Sequence, residues 1–263
     1  MEKIALAKKI EFNQDPKSNN GSVVVEPLFP GYGMTLGTSL RRVLLSSLSG
    51  AAVIGVKIKG VKHEFMSLPG VKEDVIDIIL NLKQLRLRIF SDNEEPIKLE
   101  INVKGKKQVT AADIEKNSQV EVISKDLVLA NTTEATSNLN MEIYVSRGRG
   151  YSLVEKNKKE NKEIDYIEID SIFSPILSVS AKVENVRVGK MTNWDKLVLD
   201  VETDGTLTVQ EAFEKSVNIL IEQFKSLTSL NVDDKNSDKK EKLGEDDKEA
   251  KEEKKTKTKK EKK

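Results

Sequence analysis

The first regular pattern along the chain is the β-branched run Ser22-Val23-Val24-Val25, which predicts a strand ending at Glu26-Pro27. A turn-rich stretch follows, Phe29-Pro30-Gly31-Tyr32-Gly33. Thr35 is then placed to cap a helix reaching about Ser47, on which Leu36, Leu40, Val43, Leu44 and Ser47 share a narrow arc. Arg42 and Leu45 lie together on the far side of that helix. A helix that served only a core would be polar there, so Leu45 beside Arg42 points to a second contact surface, although a lone exposed Leu is also ordinary. Gly50 fits a left-handed cap closing the helix.

Ala52 to Lys59 reads as a strand that turns from buried to alternating, and Val61-Lys62-His63-Glu64-Phe65 alternates too. A second helix is predicted over about 70–82, because Val71, Val75, Ile78, Ile79 and Leu82 keep the helical spacing. Strand-like segments follow at 85–90, 97–103, 120–123, 127–130, 139–145, 164–169, 177–188 and 196–202, separations that fit antiparallel hairpins. Thr208-Val209-Gln210-Glu211 is a capping box opening a third helix. Along it Phe213, Val217, Leu220, Phe224 and Leu227 form a heptad-like seam, which fits a partner helix and the chain's own core equally well. The fold class expected is α+β.

Composition narrows the chemistry. The 263 residues include no Cys and one His, which excludes disulfides, thiolate catalysis and Cys-based zinc sites. Net charge is +1, but residues 231–263 hold 13 Lys and 11 acidic residues with no aromatic, the signature of a disordered, charged tail. No apolar run is long enough to span a membrane and no signal peptide is evident, so a cytoplasmic protein is expected.

Gly31-x-Gly33 lacks the third glycine spacing and the downstream acid of a dinucleotide site, and reads as a tight turn. Glu163, Asp165, Glu168 and Asp170 alternate across a strand and do not converge on a metal. His63 has no second His or Cys to join it. Six of the seven Arg fall into three groups, Arg41-Arg42, Arg86-x-Arg88 and Arg147-x-Arg149, where fork-shaped hydrogen bonding would set them apart from the abundant Lys. No catalytic set and no cofactor site emerges.

Several segments in register resemble the N-terminal region of the bacterial RNA polymerase α subunit. They are Val25-Glu26-Pro27-Leu28, Gly31-Tyr32-Gly33-Met34-Thr35-Leu36-Gly37, Leu40-Arg41-Arg42-Val43-Leu44-Leu45-Ser46-Ser47, Gly60 to Phe65 and Gly70 to Val75. Asn81-Leu82-Lys83, Val109 to Ile114, Arg147-Gly148-Arg149-Gly150-Tyr151, Ser174-Pro175 and Asp195-Lys196-Leu197-Val198 continue the order. The resemblance implies a discontinuous dimerisation domain, 1–49 plus 173–230, with helices packed on an antiparallel sheet. It also implies an inserted, mostly β domain at 50–172 and the tail at 231–263.

By the same resemblance the chain is a nucleotidyltransferase subunit without catalytic residues, the Mg²⁺ and its aspartates belonging to β′. A homodimer would form through Leu36, Leu40, Val43, Phe213, Val217, Leu220 and Phe224, and its outer faces would recruit β and β′. Arg42, Leu45 and Lys83 match family contacts to the large subunits, with Arg147 and Arg149 in the corresponding loop of the insert. DNA would be met indirectly, through the assembled enzyme. The family usually adds a C-terminal helical domain for upstream DNA; this chain shows no apolar pattern for one after the tail, so no such contact is expected of it. The alternative reading is a freestanding nucleic-acid-binding protein acting through the Lys-rich tail.

Overall fold

The computed structural model describes residues 4–14, 18–91, 95–154 and 165–228. The expected tail at 231–263 and the first of the four grouped carboxylates, Glu163, lie outside them. The chain begins β1 (Lys9–Gln14), β2 (Asn20–Leu28), α1 (Tyr32–Ser46), β3 (Ser49–Ile58), α2 (Val75–Lys83) and β4 (Leu87–Ile89). It continues with β5 (Ile97–Lys104), β6 (Gln108–Thr110), a 3₁₀ turn at Ala111–Asp113, β7 (Val120–Val122), β8 (Val128–Asn131) and β9 (Asn138–Arg149). Then come β10 (Tyr151–Ser152), β11 (Tyr166–Glu168), β12 (Ser171–Ile172), β13 (Ile176–Val188) and β14 (Met191–Thr203). A last helix, α3, spans 209–228. The architecture is α+β, and the strand pairs are antiparallel.

Two larger sheets divide the work, beside the two-stranded pairs β6–β8 and β10–β12. One has four strands in the order β1-β2-β14-β13; the other runs β5-β9-β3-β4-β7, with β11 also paired to β3. The second carries the larger apolar core: Val56, Ile78, Leu82, Ile101, Val109, Leu129 and Ile143 are all fully shielded from water. α2 packs on this core with Val75, Ile78 and Leu82. The period-2 alternation along β5 and β9 produces it, because every second side chain points inward. Each such Leu or Ile contributes roughly 1.5–3 kcal/mol through lost apolar exposure.

α1 lies on β13 and β14 of the first sheet. Its buried face is Gly33, Gly37, Leu40 and Leu44. The two glycines let the helix backbone close on the sheet. A Cβ on Gly33 would sit 2.8 Å from the Val183 side chain, and one on Gly37 would sit 2.8 Å from Leu197. Helix entry is fixed by a residue far along the chain. Gly31, at φ +87°, is the N-cap, and the amides of Gly31 and Gly33 both donate to Asp195 Oδ2, at 2.9 and 3.0 Å. Asp195 is only 7% exposed. Phe29 stands edge-on to both Trp194 and Tyr32 at 6.0 and 6.1 Å, lining the cap with apolar surface.

The helix therefore starts three residues before the expected Thr35 cap, and the Thr35 hydroxyl instead donates to the Gly31 carbonyl one turn back. The turn read at Gly31-x-Gly33 holds for Gly31, whereas Gly33 and Gly37 serve close packing. Gly50 does not cap the helix; it lies in β3, opposite Gly148 of β9. β2 runs past Pro27 to Leu28, because a register shift against β14 between Asp195 and Leu197 leaves the proline no ladder position to fill. That shift is what brings Asp195 opposite Leu28, beside the start of α1.

α2 is shorter than the predicted 70–82 helix. Gly70 turns at φ +76°, and Asp74 holds the extended conformation of an N-cap. Between them the Glu73 carboxylate accepts from the Asn131 backbone amide at 2.6 Å and its side-chain amide at 2.7 Å. Val61–Phe65 is irregular rather than a strand, with Phe65 75% exposed.

The capping box of α3 is present: the Glu211 amide donates to Thr208 Oγ1 at 3.2 Å, and the Thr208 amide donates to Glu211 at 3.1 Å. Two compact units divide within this helix, Met1–Ser216 and Val217–Lys263. In the first, Phe213 packs edge-on against Phe12 of β1 at 5.8 Å. In the second, Ile221, Phe224 and Leu227 are 43%, 61% and 60% exposed.

Replacing Asp195 by Ala is expected to destabilise the protein by about 1–3 kcal/mol, since two helix-entry amides lose their acceptor in a buried setting. Asp195→Asn, which keeps one acceptor oxygen, should cost less; urea midpoints of the three proteins test the order. For Glu73, burial opposes ionisation, but the two Asn131 donors outweigh it and hold the carboxyl below its ordinary 4.5. A folded-state pKa below the unfolded one stabilises above the unfolded value and is lost as pH falls through the folded one. Glu73→Gln should therefore lower the urea midpoint at pH 7, and the gap to the parent protein should narrow as pH falls through the lowered folded-state value.

A candidate partner-binding surface

The residues expected to meet large partners are placed by the junction between the two sheets. Arg42 and Leu45 stand on the outer face of α1, Leu45 at 38% exposure. Their neighbour Arg41, also exposed, is tied to the sheet, its Nε donating to the Val179 carbonyl of β13 at 3.1 Å. The doublet thus divides into one structural and one outward guanidinium.

Three residues past α1 the chain enters β3, and Ser49, Gly50 and Ala51 pair with Arg149, Gly148 and Arg147 of β9. Phe173 is wedged beside the glycine pair. A Cβ on Gly50 would fall 2.0 Å from its carbonyl oxygen, and one on Gly148 would fall 2.7 Å from its ring. The Phe173 amide donates to the Gly150 carbonyl at 2.8 Å, and the Ser174 hydroxyl reaches the Leu45 carbonyl at 3.5 Å. Residues 173–174 therefore join the last turn of α1 to the end of β9. Arg147 donates through Nη2 to the Ile89 carbonyl at 2.8 Å, which ties that strand to β4. Arg149 is exposed.

Lys83 closes α2 and lies 3.9 Å from Asp170, a half-exposed pair worth about 0–1 kcal/mol. Asp170 also accepts from the Val154 amide at 2.9 Å. Partial shielding from water, and then the Asp170 charge and hydrogen bond, raise the Tyr151 hydroxyl above its ordinary 10.0. Asp170 is thus a pivot linking α2 to the β10–β12 ribbon, where Tyr151 pairs with Ile172 and both are about half exposed. The sequence marks Tyr151 only as the end of the Arg147–Tyr151 segment and Ile172 not at all, because two-residue strands leave no periodicity to read.

The seven positions named for self-association separate by burial. Leu36 is 37% exposed and Phe224 61%, while Val43, Val217 and Leu220 are half-buried. Leu40, at 6%, belongs to the α1 face packed on its own sheet, and Phe213, at 7%, packs on Phe12 of its own chain. Tyr32, which falls in the stretch read as a turn, and Met34 add outward apolar surface at the start of α1, at 38% and 65% exposure.

The remaining candidates have structural settings. Arg88 lies over the Phe90 ring at 5.7 Å and 3.8 Å from Glu211. His63 is exposed, and among the described residues no three His, Asp or Glu side chains gather as metal ligands do.

Comparison with known proteins identifies the family. Residues 56–174 match the family described as the RNA polymerase Rpb3/RpoA insert domain. The DNA-directed RNA polymerase subunit alpha of Desulforamulus reducens is 51% identical over 223 residues, covering 84% of this chain and 70% of that protein. The subunit so named in Carboxydothermus hydrogenoformans is 46% identical over 245 residues, with 90% and 77% covered. That of Clostridium botulinum strain Eklund 17B is 48% identical over 242, with 89% and 75% covered. At this identity over most of both partners, the chain belongs to the family of bacterial DNA-directed RNA polymerase α subunits.

Proposed function

We propose that this α subunit acts as a noncatalytic scaffold, a homodimer on which the β and β′ subunits assemble into the transcribing enzyme. The observation that carries the reading is the outward apolar surface on two helices, Tyr32 and Leu36 on α1 and Ile221, Phe224 and Leu227 on α3. Surface of this kind calls for a partner, and a second copy supplies the same residues for a two-fold interface. Leu36, Val43, Val217, Leu220 and Phe224 are the contacts assigned to it. Leu40 and Phe213 support the interface from beneath.

Arg42, Leu45, Lys83, Arg147 and Arg149 are assigned to the large subunits. Residues 1–49 with 173–230 are assigned to dimerisation and 50–172 to the insert. Supporting that division, β1, β2, β13 and β14 form one sheet while β3, β4, β5, β7, β9 and β11 form the other. A bacterial polymerase meets its DNA in the cytoplasm, and no helix among the described residues is long and apolar enough to cross a membrane.

Light scattering on the full chain should give twice its 29.4 kDa mass. A monomer at micromolar concentration would overturn the proposal. Phe224→Glu is expected to shift the protein toward monomer without loss of helical signal. Arg42→Ala should leave the dimer intact yet weaken capture of β by about tenfold or more, as loss of a central contact does; unchanged capture would remove Arg42 from the assignment.

A further inference from the structure

We infer that Arg88 is a positioning residue, whose ion pair with Glu211 sets the orientation of the insert, residues 50–172, against the first turn of α3. The inference rests on the scaffold reading in one respect. Arg42 and Leu45 belong to the dimerisation part and Lys83, Arg147 and Arg149 to the insert, so a partner that met all five would need the two parts held in one alignment. The chain passes between the parts at Ser49–Gly50 and at Ile172–Phe173, and these crossings lie together, Gly50 packing against Phe173. Two strands that cross at one point leave rotation about that point to be set by contacts elsewhere. Among the described residues one ion pair joins the two parts, Arg88 Nη2 to Glu211 Oε1 at 3.8 Å.

Glu211 is suited to hold both sides. Its Oε2 accepts from the Thr208 amide and so closes the capping box, which leaves Oε1 for Arg88. The turn that carries it is anchored to the first sheet. The Val209 amide donates to Gln14 Oε1 of β1 at 3.2 Å, and Phe213 stands edge-on to Phe12 at 5.8 Å.

Arg88 is held from the insert side. Its guanidinium lies over the Phe90 ring at 5.7 Å. β4 itself is fixed by the Ala51–Leu87 pairing to β3 and by the Arg147 bond to the Ile89 carbonyl. A planar guanidinium can stack on a ring while its edge faces a carboxylate, and this use accounts for an Arg at 88 in a chain rich in Lys. Both side chains of the pair are 42% exposed, so it biases the alignment by about two- to fivefold rather than locking it.

The chain contains no Cys, so two introduced cysteines can carry spin labels without background. Asn13→Cys on β1 and Lys116→Cys in the insert, both at exposed positions, put one label on each part. Labelled full chain is mixed with an excess of unlabelled chain, so that each dipolar distance is measured within one copy. At low salt the parent should give a single narrow distance distribution. Glu211→Gln keeps an acceptor for the capping box and removes the charge; it should raise the share of other distances about two- to fivefold, as should Arg88→Gln, and high salt should do the same to the parent. Arg88→Lys should fall between the parent and Arg88→Gln. Distributions for Glu211→Gln and Arg88→Gln that superimpose on the parent's overturn the inference. Circular dichroism spectra matching the parent exclude misfolding of these variants. Capture of purified β by the same proteins separates the inference from the reading beneath it. Wider distances with weaker capture support both, whereas wider distances with unchanged capture keep Arg88 as a positioning residue and overturn the composite partner surface.

Discussion

The buried Asp195 carboxylate orients the helix on which the candidate partner surface depends. It satisfies two amides at the mouth of α1, where the helix dipole also favours negative charge. An uncompensated carboxylate in that apolar pocket would be costly, and unsatisfied amides would be nearly as costly. Each group therefore needs the other, and together they set where α1 begins and how it is rotated. With the cap in place, Gly33, Gly37, Leu40 and Leu44 face the sheet. Tyr32, Leu36 and Val43 then fall to one side of that buried face, and Met34, Arg42 and Leu45 to the other.

This explains which parts of the fold were legible in the sequence. The α3 start was readable because both halves of its capping box lie within four residues. Most long strands were readable because alternation is local. The start of α1 was not, because its cap lies more than 160 positions away in the chain. The pattern favoured Leu36 and Val43 as the packed arc, but Gly33 and Gly37 carry no side chain for a hydrophobic pattern to register. The buried face is consequently rotated toward the glycines. Likewise the apolar spacing of Val71 with Val75 imitated a helical turn. Gly70 and the Glu73 clasp on Asn131 set another backbone path through that stretch.

The candidate site divides along the same line. Arg42 and Leu45 could be read directly, since three residues on a helix fix a shared face. Lys83 and the Arg147–Arg149 pair were reached through resemblance, and their connection depends on Phe173 and Asp170, which no local pattern picks out. Phe173 acts through size: two glycines facing each other across β3 and β9 leave the gap it occupies. Asp170 acts through position, at the point where a helix end and a two-stranded ribbon meet.

A scaffold does its work through orientation rather than through reactive groups, and the residues used here reflect that. Its outward cations are Arg more than Lys at the junction, although Lys is far commoner in the chain. A flexible ammonium tolerates many partner positions, whereas a planar guanidinium on a fixed helix or strand favours few. The fixed backbone at α1, β3 and β9 is therefore what makes that selectivity available, and it traces back to interactions between segments distant in sequence. Weakening Asp195 or the Gly50–Gly148 contact would displace Arg42, Leu45 and Arg149 without altering a single one of those outward side chains.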